Sequence, residues 1–208
     1  VTLQTALTSA ERKSLAKLSS PVKIQAHLDS IPYSTEDRYR CPLSVLRDQR
    51  AHCYDGAVFA AAMLQRIGYP PLIVNLFAYR DDEHLIAVFK CDGHWGAVAK
   101  SNFVGLRYRE PIYRSLRELV VSYFEDYYNL EGLRSLRSYT RPFNLDTVRL
   151  VDWRTHDAAL THIAKRLDAL RRVPVLTPNM IAQLSPLDRR SYEAGMWGTN
   201  MAGVYQPD

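Results

Sequence analysis

Three of the 208 residues are cysteines, and one of them opens a helix-forming run. In "RAHCYDGAVFAAAMLQRIGYPP", residues 50–71, Cys53 stands just ahead of an alanine-rich stretch that Gly68 and two prolines bring to an end. Unpaired N–H groups and the macrodipole at a helix start favour a thiolate, which should lower the thiol pKa below its ordinary value of about 8.5 and make Cys53 a candidate nucleophile. The plain alternative is a buried core cysteine. His84 follows the acidic turn "RDDE" and opens "HLIAVFKC", where strand alternation groups it with Ile86 and Val88. An imidazole at the start of a strand beside a buried helix is suited to act as general base for a thiol at that helix's entrance. By itself His84 could equally be a loop-edge histidine bonded to backbone. Asp55, in the first helical turn, reads as an N-terminal charge before it reads as a catalytic group.

These residues resemble a known family. "HCYDGAVFAAAMLQRIGYPPLIVNL" is similar to the core of the transglutaminase-like superfamily, a branch of the papain-like cysteine enzymes, in its bacterial form. The matching positions are Cys53, Asp55 and Ala57, then Leu64, Gly68 and Pro70, with His84 two strands on and Trp95 after the hairpin. The resemblance spans about residues 25–130 and implies an α+β, papain-like fold in which a central helix packs on an antiparallel sheet. It also implies acyl transfer by Cys53 and His84; no GxxxxGK(S/T) or GxGxxG loop is present, so no cofactor is expected.

In the family an aspartate four residues after the tryptophan orients the histidine; here that place holds Ala99, followed by Lys100. If "DG" makes a two-residue turn, residues 91 and 94 face each other and Ser101 lies opposite His84. A one-residue bulge would bring Asn102 there instead. Asparagine can hold an imidazole through its amide oxygen, which makes Asn102 a candidate third member. Ser101, a carboxylate from elsewhere, or no third member are the alternatives. For the oxyanion, the backbone N–H of Cys53 needs a second donor, and Gln49 is a candidate, although a solvated surface glutamine is the simpler reading.

The expected chemistry is attack of sulfur on an amide or ester carbonyl with His84 shuttling the proton. Water as acceptor gives a peptidase or amidase and a primary amine gives a transglutaminase. A binding or scaffold module that keeps the fold without the chemistry is the rival, motivated by the missing aspartate. The expected partner is a peptide, protein or small amide.

Around this pair the chain supplies positioning elements. Thr8 with Glu11 and Ser20 with Pro21 mark two N-terminal helices. "IPYSTEDRYRCPLSVLRDQ" reads as a loop running into a short helix, one wall of a cleft. "LIVNLFAY", "HLIAVFKC" and "HWGAVAKS" read as strands. Ser115 and Glu118 cap an outer helix that covers the sheet. Beyond Asn129 a helical extension is expected, with a possible strand at "TVRLVDW", an amphipathic helix at "HDAALTHIAKRLDALRR", a short capped helix at "SPLDRRSYEAG" and an extended tail.

A hydrophobic content of 47% over this length suits one domain over residues 1–208. No apolar run approaches the roughly 20 residues of a membrane span. The opening residues lack the pattern of a secretory signal, and three unpatterned cysteines suit a reducing compartment, so a cytoplasmic location without membrane association is expected. The net charge of +5 comes from arginines interleaved with acids, which argues against a nucleic-acid stripe. Scattered histidines with no paired spacing give no metal site.

Overall fold

The computed structural model describes residues 2–149 and 151–206. In chain order its helices and strands are α1 (Leu3–Ala6), α2 (Ser9–Ala16), α3 (Pro21–Ser30), α4 (Pro42–Asp48), α5 (Cys53–Arg66), β1 (Leu72–Ala78), β2 (His84–Cys91), β3 (His94–Val98), β4 (Arg109–Tyr113), α6 (Leu116–Val121), β5 (Leu136–Thr140), β6 (Phe143–Asn144), α7 (Ala158–Asp168), β7 (Arg172–Pro174), α8 (Pro178–Ala182) and α9 (Arg189–Gly195). Short 3₁₀ turns lie at Leu145–Thr147 and Met201–Gly203. The fold is α+β, with a central helix on an antiparallel sheet and further helices before and after it.

The sheet runs β4-β3-β2-β1-β5-β7, with β6 also on β1. The β2–β3 hairpin closes at Asp92 and Gly93, both at positive φ, the conformation a two-residue turn demands. Its register pairs Cys91 with His94 and Ala87 with Val98, as the sequence predicts. β5 and β6 share one edge of β1, and between them the Asn75 N–H donates to Thr140 Oγ1 at 3.0 Å rather than to a backbone carbonyl. The stretch after Asn129 therefore adds three strands to the sheet. "TVRLVDW" forms no strand among its described residues; Leu150 lies outside them, and Trp153 is buried in the core under α5. These strands are short and their partners distant in sequence, so no local pattern announces them.

Two apolar layers flank the sheet. α5 is buried from Asp55 to Leu64 and packs on the face carrying Leu85, Ala87 and Phe89. The opposite face, with Ile86 and Val88, is covered by Leu119, Val120, Tyr123 and Tyr127 of α6 and the turn after it. Alternation thus places His84 on the α6 face, away from α5, and only the end of β2 lets it share a site with the helix.

Small residues let α5 approach closely. At Gly56 an added Cβ would collide with Cβ of Lys100, whose buried ammonium donates to the carbonyls of Leu28, at 2.7 Å, and Ile31, at 2.5 Å. Beside it the Gln25 amide takes both the N–H and the C=O of Ala99, at 3.0 and 2.9 Å. Ala99 and Lys100 are thus spent on tying α3 and α5 to the end of β3. Gly56→Ala should cost about 1–3 kcal/mol of stability through this overlap, read as a lower midpoint in urea at unchanged slope; an unshifted midpoint would contradict the close approach.

Candidate active site

The entrance of α5 is held by neighbours of Cys53. His52 is the N-cap: its Nδ1 accepts from the N–H groups of Tyr54 (3.1 Å) and Asp55 (3.4 Å), and the Asp55 carboxylate accepts from the His52 N–H. An acceptor nitrogen must be unprotonated, so His52 is neutral here. Burial, with Arg40 adding repulsion, pushes its imidazole down to about 4. Asp55 is fully buried and also accepts from the Arg40 N–H at 2.7 Å. Burial raises its carboxyl to about 7, against the lowering pull of the Arg40 and His52 N–H groups. Arg40, 1% exposed, gathers Ser34, Glu36 and Asp48 around its guanidinium. This knot fixes the loop 33–40 against the helix start.

The expected lowering of the Cys53 thiol is not found. Burial first, then the nearby Asp82, push it up to about 12, against pulls from the Leu85 N–H and the Tyr33 hydroxyl, with Asp55 adding the smallest push. The reason is local. The first-turn N–H groups that would stabilise a thiolate are already capped by His52, and the positive end of the helix is answered by Asp55. Cys53 is a half-buried, protonated thiol.

That thiol lies against the backbone on both sides of His84. Its sulfur is 3.7 Å from the Glu83 carbonyl and faces the Leu85 N–H. Because the strand begins at His84, a narrow crevice wraps around its end, and Cys53 and His84 both line it, with Tyr33, Ser101, Leu106 and Tyr127. His84 is 4% exposed, its ring set edge-on to Tyr123 and Tyr127. Nε2 is 2.7 Å from the Leu106 carbonyl. A carbonyl only accepts, so Nε2 carries the proton and Nδ1 keeps the lone pair. Burial pushes this imidazole down to about 4, against the upward pull of that carbonyl.

Asn102 lines the crevice, but both ends of its amide are committed to Asn200: Nδ2 donates to the carbonyl and Oδ1 accepts from the N–H, each at 2.9 Å. It does not hold the imidazole; the Leu106 carbonyl does. Ser101 also lines the crevice, its hydroxyl accepting from the Phe103 N–H. Gln49 is not brought to the thiol. It ends α4 in the left-handed region, φ 51°, with its side-chain amide donating to the Leu46 carbonyl at 2.5 Å. Trp95 lies under the Lys90 ammonium and does not line the crevice.

Tyr33 is the residue that sequence reasoning missed. Backbone bonds from Ser34 N to the Ala51 carbonyl (3.0 Å) and from Ala51 N to the Pro32 carbonyl pin it beside the residues leading into α5. Its hydroxyl is set against both the thiol and the backbone N–H of Cys53. The only signal in the sequence was its membership of the predicted cleft wall.

Outward from the thiol the crevice meets a cavity of about 510 Å³. Its walls include Tyr33, Tyr39, Tyr54, Asn75, Asp82 and Asp168, with no lysine or arginine among its lining residues. Elsewhere among the described residues, no group of three or more His, Cys, Asp or Glu is placed to hold a metal ion, and no described helix is long and apolar enough to cross a membrane.

No family model matches the chain, and no curated protein does. Among solved structures it is similar to Legionella pneumophila LapG, at 15% identity over 47% of this chain and 68% of that one, with a TM-score of 0.35. EGTA-treated Legionella pneumophila LapG gives 17% identity over 48% and 66%, with a TM-score of 0.33.

The neutral His52 cap generates a pH test. With a folded pKa near 4 against 6.5 unfolded, the unfolded chain binds the extra proton, so this stabilisation is full above pH 6.5 and is lost as pH falls towards 4. His52→Ser keeps a capping oxygen without the titration. From pH 7 to 4.5, wild type should lose about 2–3 kcal/mol relative to that variant, measured by urea unfolding. Parallel stability curves would refute the assignment; Asp55, which works in the opposite sense, is common to both chains.

Proposed function

We propose that this chain is a cysteine-dependent acyl-transfer enzyme that hydrolyses amide or peptide bonds, with Cys53 as nucleophile and His84 as general base. The observation that carries the reading is the thiol held against the backbone flanking His84, in a crevice that both residues line, while Leu106 fixes the imidazole tautomer with Nδ1 as its lone-pair nitrogen.

Both partners rest neutral, so the chemistry differs from a preformed thiolate–imidazolium pair. As sulfur bonds to the substrate carbonyl carbon, the thiol proton passes to His84 Nδ1. The tetrahedral oxyanion is stabilised by the Cys53 N–H and the Tyr33 hydroxyl, the latter in place of Gln49. Collapse expels the amine, which takes the proton from His84 and leaves a thioester on Cys53. Water, deprotonated by the same nitrogen, then attacks the thioester and releases the acid and the free thiol. A primary amine in place of water would make the reaction a transamidation. His84 can serve because burial keeps it unprotonated at neutral pH.

A binding module without chemistry is favoured by the surroundings of the thiol, where burial and the nearby Asp82 push it up and away from a standing thiolate. The two readings separate on a peptide library assayed with and without a primary amine. On the enzymatic reading, Cys53→Ala abolishes turnover and His84→Ala lowers kcat by about 10²–10⁴-fold. The rate constant kcat/KM is flat from about pH 5 to 9, since the imidazole titrates near 4 and the thiol near 12. Iodoacetamide labels Cys53 no faster than Cys91 at pH 7. Turnover that survives Cys53→Ala, or its absence throughout the library while peptides still bind, overturns the enzymatic reading.

A further inference from the structure

One segment of the chain lies in the candidate site. After Gly198, at φ +74°, the chain returns across the crevice. Asn102 holds Asn200 by its backbone, giving one bond to its carbonyl and taking one from its N–H, while the Asn200 side chain turns along its own segment and caps the 3₁₀ turn Met201–Gly203 through the Ala202 N–H at 3.1 Å. A side-chain amide that pairs with both polar groups of one residue reads peptide backbone, as a neighbouring strand would, and is indifferent to the side chain it carries.

Three residues on, Gly203 lines both the cavity and the crevice beside Cys53. A Cβ on it would stand 3.0 Å from Thr35 Cγ2 and 3.1 and 3.2 Å from the Tyr33 ring. Gly203 is not at positive φ, so the fit calls for the missing side chain and not for glycine's backbone freedom. Tyr205 then lines the crevice beside His84. The segment has little else holding it: Met201 and Ala202 are exposed, and no residue from 200 to 206 is buried. Held by a backbone clamp and one glycine contact, it can open at low cost.

We propose that the groove running from Asn102 past Tyr33 to Cys53 is a peptide-binding site, and that the segment Asn200–Tyr205 occupies it in cis. A peptide that presents its backbone to Asn102, makes one 3₁₀ turn as Met201–Gly203 does, and sets a residue without a side chain against Tyr33 competes with this strap for the groove. The inference rests on the reading that Cys53 acts on peptides and gives that reading its substrate class, a chain bound through its backbone.

The test reads binding and thiol access, neither of which requires turnover. Gly203→Val places a side chain against Tyr33 and Thr35; Asn200→Pro removes the N–H that Asn102 holds, at a φ of −79° that proline accepts. In either full-length variant Cys53 should react with iodoacetamide about tenfold faster or more than in wild type, as read by mass mapping. A fluorescent peptide spanning residues 198–206, GTNMAGVYQ, should bind Gly203→Val more tightly than wild type, and the same peptide with valine at the place of Gly203 should not. Unchanged labelling in both variants, or equal binding of the two peptides, overturns the proposal. If the variants open and bind peptide while no amide is ever cleaved, the groove stands and the enzymatic reading falls; Cys53-dependent cleavage that the strap variants leave unaltered has the reverse meaning.

Discussion

The site depends on one buried carboxylate. Asp55 sits in the first turn of α5, fully out of solvent, and accepts hydrogen bonds from two chain segments: its own N-cap at His52 and the loop residue Arg40. A buried acid that has lost hydration must find donors, and here those donors are the two pieces of backbone that set the geometry around the thiol. Through Arg40 the constraint spreads to Ser34, Glu36 and Asp48, and so to the loop carrying Tyr33. The wall of the cleft and the seat of the Cys53 thiol are consequences of the same desolvated acid.

That arrangement also explains why the thiol rests protonated. A helix entrance stabilises an anion only with N–H groups still free to point at it. In α5 those groups are taken by His52, and the carboxylates around Cys53 oppose a second negative charge. Burial drives the imidazole in the complementary direction, towards its neutral form. On the enzymatic reading, a neutral pair in a narrow crevice suits proton transfer concerted with attack and is poorly suited to standing thiolate chemistry. A backbone carbonyl as the partner of the imidazole fits this state: Leu106 fixes the tautomer without adding a charge that would favour imidazolium.

Much of the arrangement was legible along the chain. The burial of α5 follows from its nearly all-round apolar composition, and the hairpin register follows from Asp92–Gly93. The caps at Thr8, Ser20 and Ser115 are local hydrogen bonds between residues three apart, and each is present. What failed shares a different character. β5, β6 and β7 pair with strands far away in sequence. Gln49 stands four residues before Cys53, yet α4 turns it back on itself through a left-handed cap. Asn102 is claimed by Asn200, 98 positions on, a bond that no local pattern could foretell.

The sequence by itself determined the α+β class, the helix that begins at Cys53, the strand that begins at His84 and the turn between β2 and β3, because periodicity, capping and turn chemistry act between near neighbours. Tertiary structure alone decided the protonation of the thiol, the backbone partner of the imidazole, the place of Tyr33 and the strap across the groove. Desolvation and hydrogen-bond competition depend on which distant groups arrive at the same point, and that is a property of the assembled fold.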